Sequence, residues 1–240
     1  MNVYLYQNNT EKILKNAYIG EVWTPWSNTL GYYTFDDQNV SQITDFSGNN
    51  RNLTWWTMPS YTLVSGSNYS GNYAGNYANV SSWVWQNHEY WYMNGDYTML
   101  IWVKPTSTWS CFINCLDTNE GNSSHQISLI YWYNNWQFEY YDDNAGSVKR
   151  VTIASWVTTN TWYLICYTRN WTSVKTYQNW NASNTITWAN TSRTKYLFMW
   201  SSRSWDRFKW VIWDCIIENR VRTAQEISHY YDITKANYWL

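Results

Sequence analysis

Three histidines and four cysteines are the side chains in this 240-residue sequence best suited to metal or nucleophile chemistry, and their spacing suits neither. His88, His125 and His229 stand far apart in the chain. Cys111 and Cys115 lie four residues apart in the strand-like run SCFINCL. An extended strand rises about 3.3 Å per residue, so it holds them roughly 13 Å apart, too far for a disulfide or a shared metal. Cys166 and Cys215 sit inside apolar runs and read as small buried residues, and the pairing of the four is left open. No G-x-S-x-G, H-E-x-x-H or glycine-rich phosphate loop occurs. A glycosidase needs two carboxyl groups about 5 to 9.5 Å apart across one bond, and neither Asp117-Thr-Asn-Glu120 nor Tyr141-Asp142-Asp143 supplies a recognisable set. The chain reads as non-catalytic.

The other chemistry on offer is aromatic. There are 21 Trp and only 9 Gly, where ordinary usage of roughly 7% would give about 17 Gly. Asn135-Trp136, Asn170-Trp171 and Asn179-Trp180 each stand between strand-like runs, the place where Asn-Gly is the strongest hairpin signal. Trp suits positive φ poorly, because a bulky side chain there is an outlier. Two readings follow. The rings are stacking platforms of an aromatic-rich binder, or they are glycine codons (UGA) read as tryptophan. Only Trp102 and Trp162 sit where a β-sandwich wants a buried aromatic; moving the other 19 would bring glycine from 9 to an unremarkable 28.

Charge bounds the partners. The formal net charge is −1 and 14% of residues are charged. Arg203, Arg207 and Lys209, then Arg220 and Arg222, are short groups, not the concentrated basic face that duplex binding requires. No apolar stretch approaches the ~18 residues of a membrane-spanning helix. The N-terminal segment lacks the continuous apolar run of a secretory signal, so the expectation is a mature fragment or export by another route, such as inside a phage particle.

These residues must be carried on strands. Residues 1–24 read as a small hairpin or leader extension, and residues 25–240 as one domain. From about residue 29 the chain is a series of short strand-like runs separated by polar turns, without long helical periodicity, which predicts two facing antiparallel sheets. Met99, Ile101 and Val103 alternate with Leu100, Trp102 and Lys104, so one set faces the inter-sheet core, with Ile212 and Ile217 joining it. Thr223-Ala-Gln-Glu226 is a capping-box pattern. Ile227, Tyr230 and Tyr231 then fall on one face of a predicted helix.

Five segments, in order, resemble the laminin-G-like jelly-roll family of the concanavalin A-like lectin/glucanase superfamily. They are Asp45-Phe-Ser-Gly-Asn-Asn50, Gly95-Asp-Tyr-Thr-Met-Leu-Ile-Trp-Val-Lys-Pro105, Thr161-Trp-Tyr-Leu-Ile-Cys-Tyr-Thr168, the run Phe208 to Arg220, and the closing helix from Thr223 to Asp232. The resemblance covers about residues 29 to 233. It implies an all-β fold, an antiparallel jelly-roll β-sandwich with a short C-terminal helix. Trp136, Trp171, Trp180, Trp200, Trp210 and Trp213 stand where the family usually has glycine.

Two site types are implied by the resemblance. One is a structural Ca²⁺ held by Asp45, Asn49 and Asp214 with backbone carbonyls; the alternative is that Asp45 and Asn49 simply stabilise a turn. The other is a glycan or peptide surface on the concave sheet or rim loops, with Asn134, Tyr140 and Tyr141 as contributors. The E-x-D-x-E run of the superfamily's glucanases is missing. The expected role is a non-catalytic binding or adhesion module for a glycan or surface receptor, outside the cell on a cell surface or phage particle. The alternative is a structural virion or filament component with no small ligand.

Overall fold

The computed structural model describes residues 3–7, 10–14, 28–33, 42–54, 60–63, 73–76, 96–105, 112–116, 125–132, 137–144, 147–154, 156–171, 173–187, 196–199 and 210–235. The first elements are β1 (Val3–Gln7), β2 (Thr10–Leu14), β3 (Thr29–Tyr33), β4 (Gln42–Ile43), β5 (Leu53–Thr54), β6 (Ser60–Leu63) and β7 (Tyr73–Asn76). Then come β8 (Tyr97–Pro105), β9 (Phe112–Leu116), β10 (His125–Trp132), β11 (Gln137–Asn144), β12 (Ser147–Ala154) and β13 (Tyr163–Asn170). The last are β14 (Ser173–Gln178), β15 (Asn181–Thr187), β16 (Tyr196–Met199), β17 (Trp210–Glu218) and α1 (Ala224–Thr234).

Every strand pairing among the described residues is antiparallel. One sheet of eight strands runs β15-β14-β13-β8-β17-β7-β6, with β3 also on β17; a second runs β12-β11-β10-β9-β16. The fold is an antiparallel jelly-roll β-sandwich with a short C-terminal helix. Strands β1 and β2 pair with each other as a hairpin, and β4 pairs with β5.

The sheets meet through apolar side chains. Phe138 of β11 packs edge-on against Tyr163 of β13, ring centroids 5.5 Å apart. At one margin the Asn184 side-chain N–H donates to the Thr152 carbonyl at 2.8 Å and ties the two sheets together. Met99, Ile101 and Val103 are buried, as the alternation predicts; Ile212 and Ile217, of opposite parity, are buried too and reach the same side through the irregularity between Ile212 and Cys215.

The other side of the large sheet is not left to solvent. Leu100, Trp102, Leu164, Cys166 and Ile216 form a second core with Ile227, Tyr230 and Tyr231 of α1. Strands β8 and β13 are therefore buried on both faces, which explains their nearly unbroken burial. The helix starts where the sequence places it. The Thr223 side chain accepts the Glu226 N–H, and Glu226 reaches back to the Thr223 N–H at 2.8 Å, satisfying two orphan donors at once.

The hairpin turns partly match the Asn-Trp expectation. Asn170 pairs with Ser173, so Trp171 is the first central residue of that loop, one place earlier in the turn than the Asn-Gly analogy puts it. Trp171 has φ 40° and its ring is exposed. Gln178 pairs with Asn181, leaving Asn179 and Trp180 central as expected; Asn179 takes the positive φ of 58°, and Trp180 is exposed without one. Trp136 lies outside the described residues.

Candidate functional site

The loop after β4 is organised by one carboxylate. Asp45 bridges to Tyr33 at the margin of the large sheet. Its Oδ1 accepts the N–H groups of Tyr32 (3.0 Å) and Ser47 (2.9 Å), and its Oδ2 accepts that of Arg51 (3.0 Å). A short acidic side chain that bonds the backbone two residues on builds an Asx turn. Gly48, at φ 86°, supplies the left-handed residue that such a reversal needs. Asn49 then clamps the loop onto β3: its side-chain N–H group donates to the Thr29 carbonyl at 2.8 Å and the Leu30 carbonyl at 3.3 Å. The Arg51 guanidinium also donates to the Leu30 carbonyl, at 2.8 Å.

Asp214 belongs to a different environment. It is buried on β17 and accepts the Tyr230 hydroxyl of α1 at 3.3 Å. Burial pushes the Tyr230 hydroxyl well above its ordinary pKa, and the Asp214 charge adds to the shift, so Tyr230 stays protonated as the donor. Nearby, Glu218 and Arg222, both buried, form a two-point ion pair at 2.5 and 2.8 Å. Burial alone would lower the Arg222 pKa; the hydrogen bonds and charge of Glu218 outweigh it and raise the value. Burial also raises the Cys166 thiol beyond its usual range, which keeps it an inert thiol.

The residues of the expected calcium set are engaged in other hydrogen bonds: Asp45 and Asn49 within the turn and onto β3, Asp214 with α1. Tyr33 pairs with Cys215 on one side and bridges to Asp45 on the other. That puts Asp45 two strands from β17, about 10 Å at the usual spacing. Asp214, next to Cys215, falls on the opposite, helix-covered face. The Asp45 oxygens already take three N–H groups, and the Leu30 carbonyl that could ligate an ion takes a guanidinium instead. Among the described residues no group of three or more His, Cys, Asp or Glu is placed to hold a metal. The arrangement supports the turn-stabilising reading of Asp45 and Asn49.

A melting experiment checks this. A native-state ligand at 100 times its Kd would add about 2.7 kcal/mol, a rise of roughly 5 to 11 °C for a chain of this size. Equal melting temperatures in calcium and in chelator are expected. A calcium-dependent rise of about 5 °C or more would restore the ion.

The glycan-surface residues fare differently. Asn134 lies outside the described residues. Tyr140 is in register with Leu129 and Val151, while Tyr141 is in register with Ser128 and Arg150. Phe138 and Val151 are buried in the core; by strand alternation Tyr140 holds a register position in step with them and Tyr141 one out of step. Arg150, which sequence reasoning did not name, shares the register position of Tyr141; the period-two pattern of β12 was the available signal.

A family model described as the concanavalin A-like lectin/glucanases superfamily matches residues 74–228. The chain belongs to that superfamily. No curated protein sequence matches it. Among solved structures it resembles the binding domain of Paraclostridial Mosquitocidal Protein 1, with TM-score 0.58, 18% identity, and 85% of this chain and 52% of that one covered. The botulinum neurotoxin serotype G binding domain gives TM-score 0.53 at 16% identity, covering 86% and 51%. Domain 4 of an extracellular arabinanase from Geobacillus stearothermophilus, in complex with arabinotriose, gives TM-score 0.57 at 17% identity, covering 84% and 97%. The chain spans about half the length of the toxin binding domains it matches. At these identities the likeness speaks for the fold. No helix among the described residues is long and apolar enough to cross a membrane.

Proposed function

We propose that this chain is a non-catalytic binding module that takes a glycan, or a glycan-bearing surface receptor, outside the cell. The observation that carries the reading is the match over 97% of an arabinanase domain solved with arabinotriose. The toxin domains that share the fold are also named as binding domains. We place the module on a cell surface or phage particle. Its ligand surface is the outer face of the sheet containing β10, β11 and β12, where Ser128, Tyr141 and Arg150 share one register row. Aromatic, hydroxyl and guanidinium residues are the types that stack on a sugar and bond its oxygens. The exposed tryptophans at the turns are no part of this surface, because we propose that they occupy UGA codons read as glycine.

Binding to an oligosaccharide array that includes arabino-oligosaccharides tests the reading. Tyr141→Ala should weaken the best array ligand at least ~10-fold, the 1.4 kcal/mol expected of a central aromatic, with an unchanged melting temperature. A binder that ignores Tyr141→Ala places the site elsewhere. An array without any binder favours the structural virion or filament role.

A further inference from the structure

Five non-glycine residues among those described have positive φ: Asn50, Asn160, Asn179, Trp156 and Trp171. Asparagine is the ordinary tenant of that region after glycine, because its short polar side chain bonds locally. Tryptophan is not. Trp156 sits at φ 61° with 83% of its surface exposed, and Trp171 at φ 40° with 58% exposed. Neither ring gains the burial that could offset the strained backbone. Trp171 also takes the first central place of a two-residue hairpin loop, where the favoured turns need positive φ and one of them calls for Gly. A third position agrees. Between Ile212, opposite Val103, and Cys215, opposite Ile101, β17 carries one extra residue. Trp213 thus stands at a β-bulge, a place that Gly often marks.

Two other tryptophans behave as the side chain should. Trp102 is fully buried and Trp162 is 5% exposed beneath the Lys104 ammonium. These five described positions are therefore of two kinds, Trp102 and Trp162 built around an indole, and positions 156, 171 and 213 suited to a residue without a side chain.

We propose that the protein as made in its own cells carries glycine at positions 156, 171 and 213. The codons there are UGA, which some genetic codes read as glycine and others as tryptophan, while Trp102 and Trp162 are encoded by UGG. The turn after β13 is then a glycine hairpin.

The coding DNA and a melting curve test this, with oligosaccharide binding as a third readout. UGA at positions 156, 171 and 213, with UGG at 102 and 162, is the expected result; UGG at 156 and 171 overturns the proposal. In the tryptophan-bearing protein, the double variant Trp156→Gly with Trp171→Gly should melt at least about 2–4 °C higher. An equal or lower melting temperature overturns it. So does loss of oligosaccharide binding in that variant, which would make the two rings the ligand platform.

Discussion

Trp102→Ala should destabilise the domain by about 3–5 kcal/mol, the range for deleting a large aromatic from a core. The ring is fully buried, stacked on Tyr231 with centroids 5.7 Å apart and planes 19° from parallel. Its Nε1–H donates to the Thr234 hydroxyl at 3.1 Å. The substitution therefore removes packing between β8 and α1 and leaves a cavity between sheet and helix. Against a total stability of about 5–15 kcal/mol this is a large share, and the melting temperature should fall by roughly 6–20 °C. Urea unfolding of the variant measures it. A loss under about 1 kcal/mol would mean that α1 is not part of the cooperative core. Trp102 and Trp171 make a direct contrast, since truncation should harm the protein at one and help it at the other.

Glu218→Ala is the second large effect, expected to cost about 3–5 kcal/mol. Both partners of the Glu218–Arg222 pair are 2% exposed, and removing one leaves a buried guanidinium unbalanced. Arg222 lies over the Tyr230 ring at 5.8 Å, and its N–H is held by the Thr98 hydroxyl. The pair thus ties the end of β17 to β8 and to the start of α1. Replacing both partners, Glu218→Leu with Arg222→Met, should recover most of the loss, because a buried ion pair is often matched by apolar residues of similar volume. Chemical denaturation of the single and double variants gives the coupling. A double variant as unstable as Glu218→Ala would show that the tie depends on charge.

Much of this architecture could be read from local pattern. Period-two alternation identified Met99, Ile101 and Val103 as core, and the Thr223–Glu226 box marked the start of α1, because both signals depend on residues a few positions apart; Ile212 and Ile217, of opposite parity, share the core side through the bulge in β17. Trp171 at positive φ was legible for the same reason: a turn's backbone demand is local. The sites were less legible. Asp45, Asn49 and Asp214 are all oxygen-bearing residues in family-like segments, and nothing in the chain order shows that Asp45 holds a turn while Asp214 bonds the C-terminal helix. Tyr140 and Tyr141 look equivalent until β11 is in register and Phe138 marks the core side.

Sequence by itself determined which residues share a face, since strand and helix periods follow from backbone geometry alone. Only the tertiary structure decided what each face meets. Leu100, Trp102 and Cys166 alternate with the inter-sheet core, and what buries them is α1, more than a hundred residues beyond β8. Burial is a property of the neighbour that arrives, and for β8 and β13 that neighbour comes from the far end of the chain.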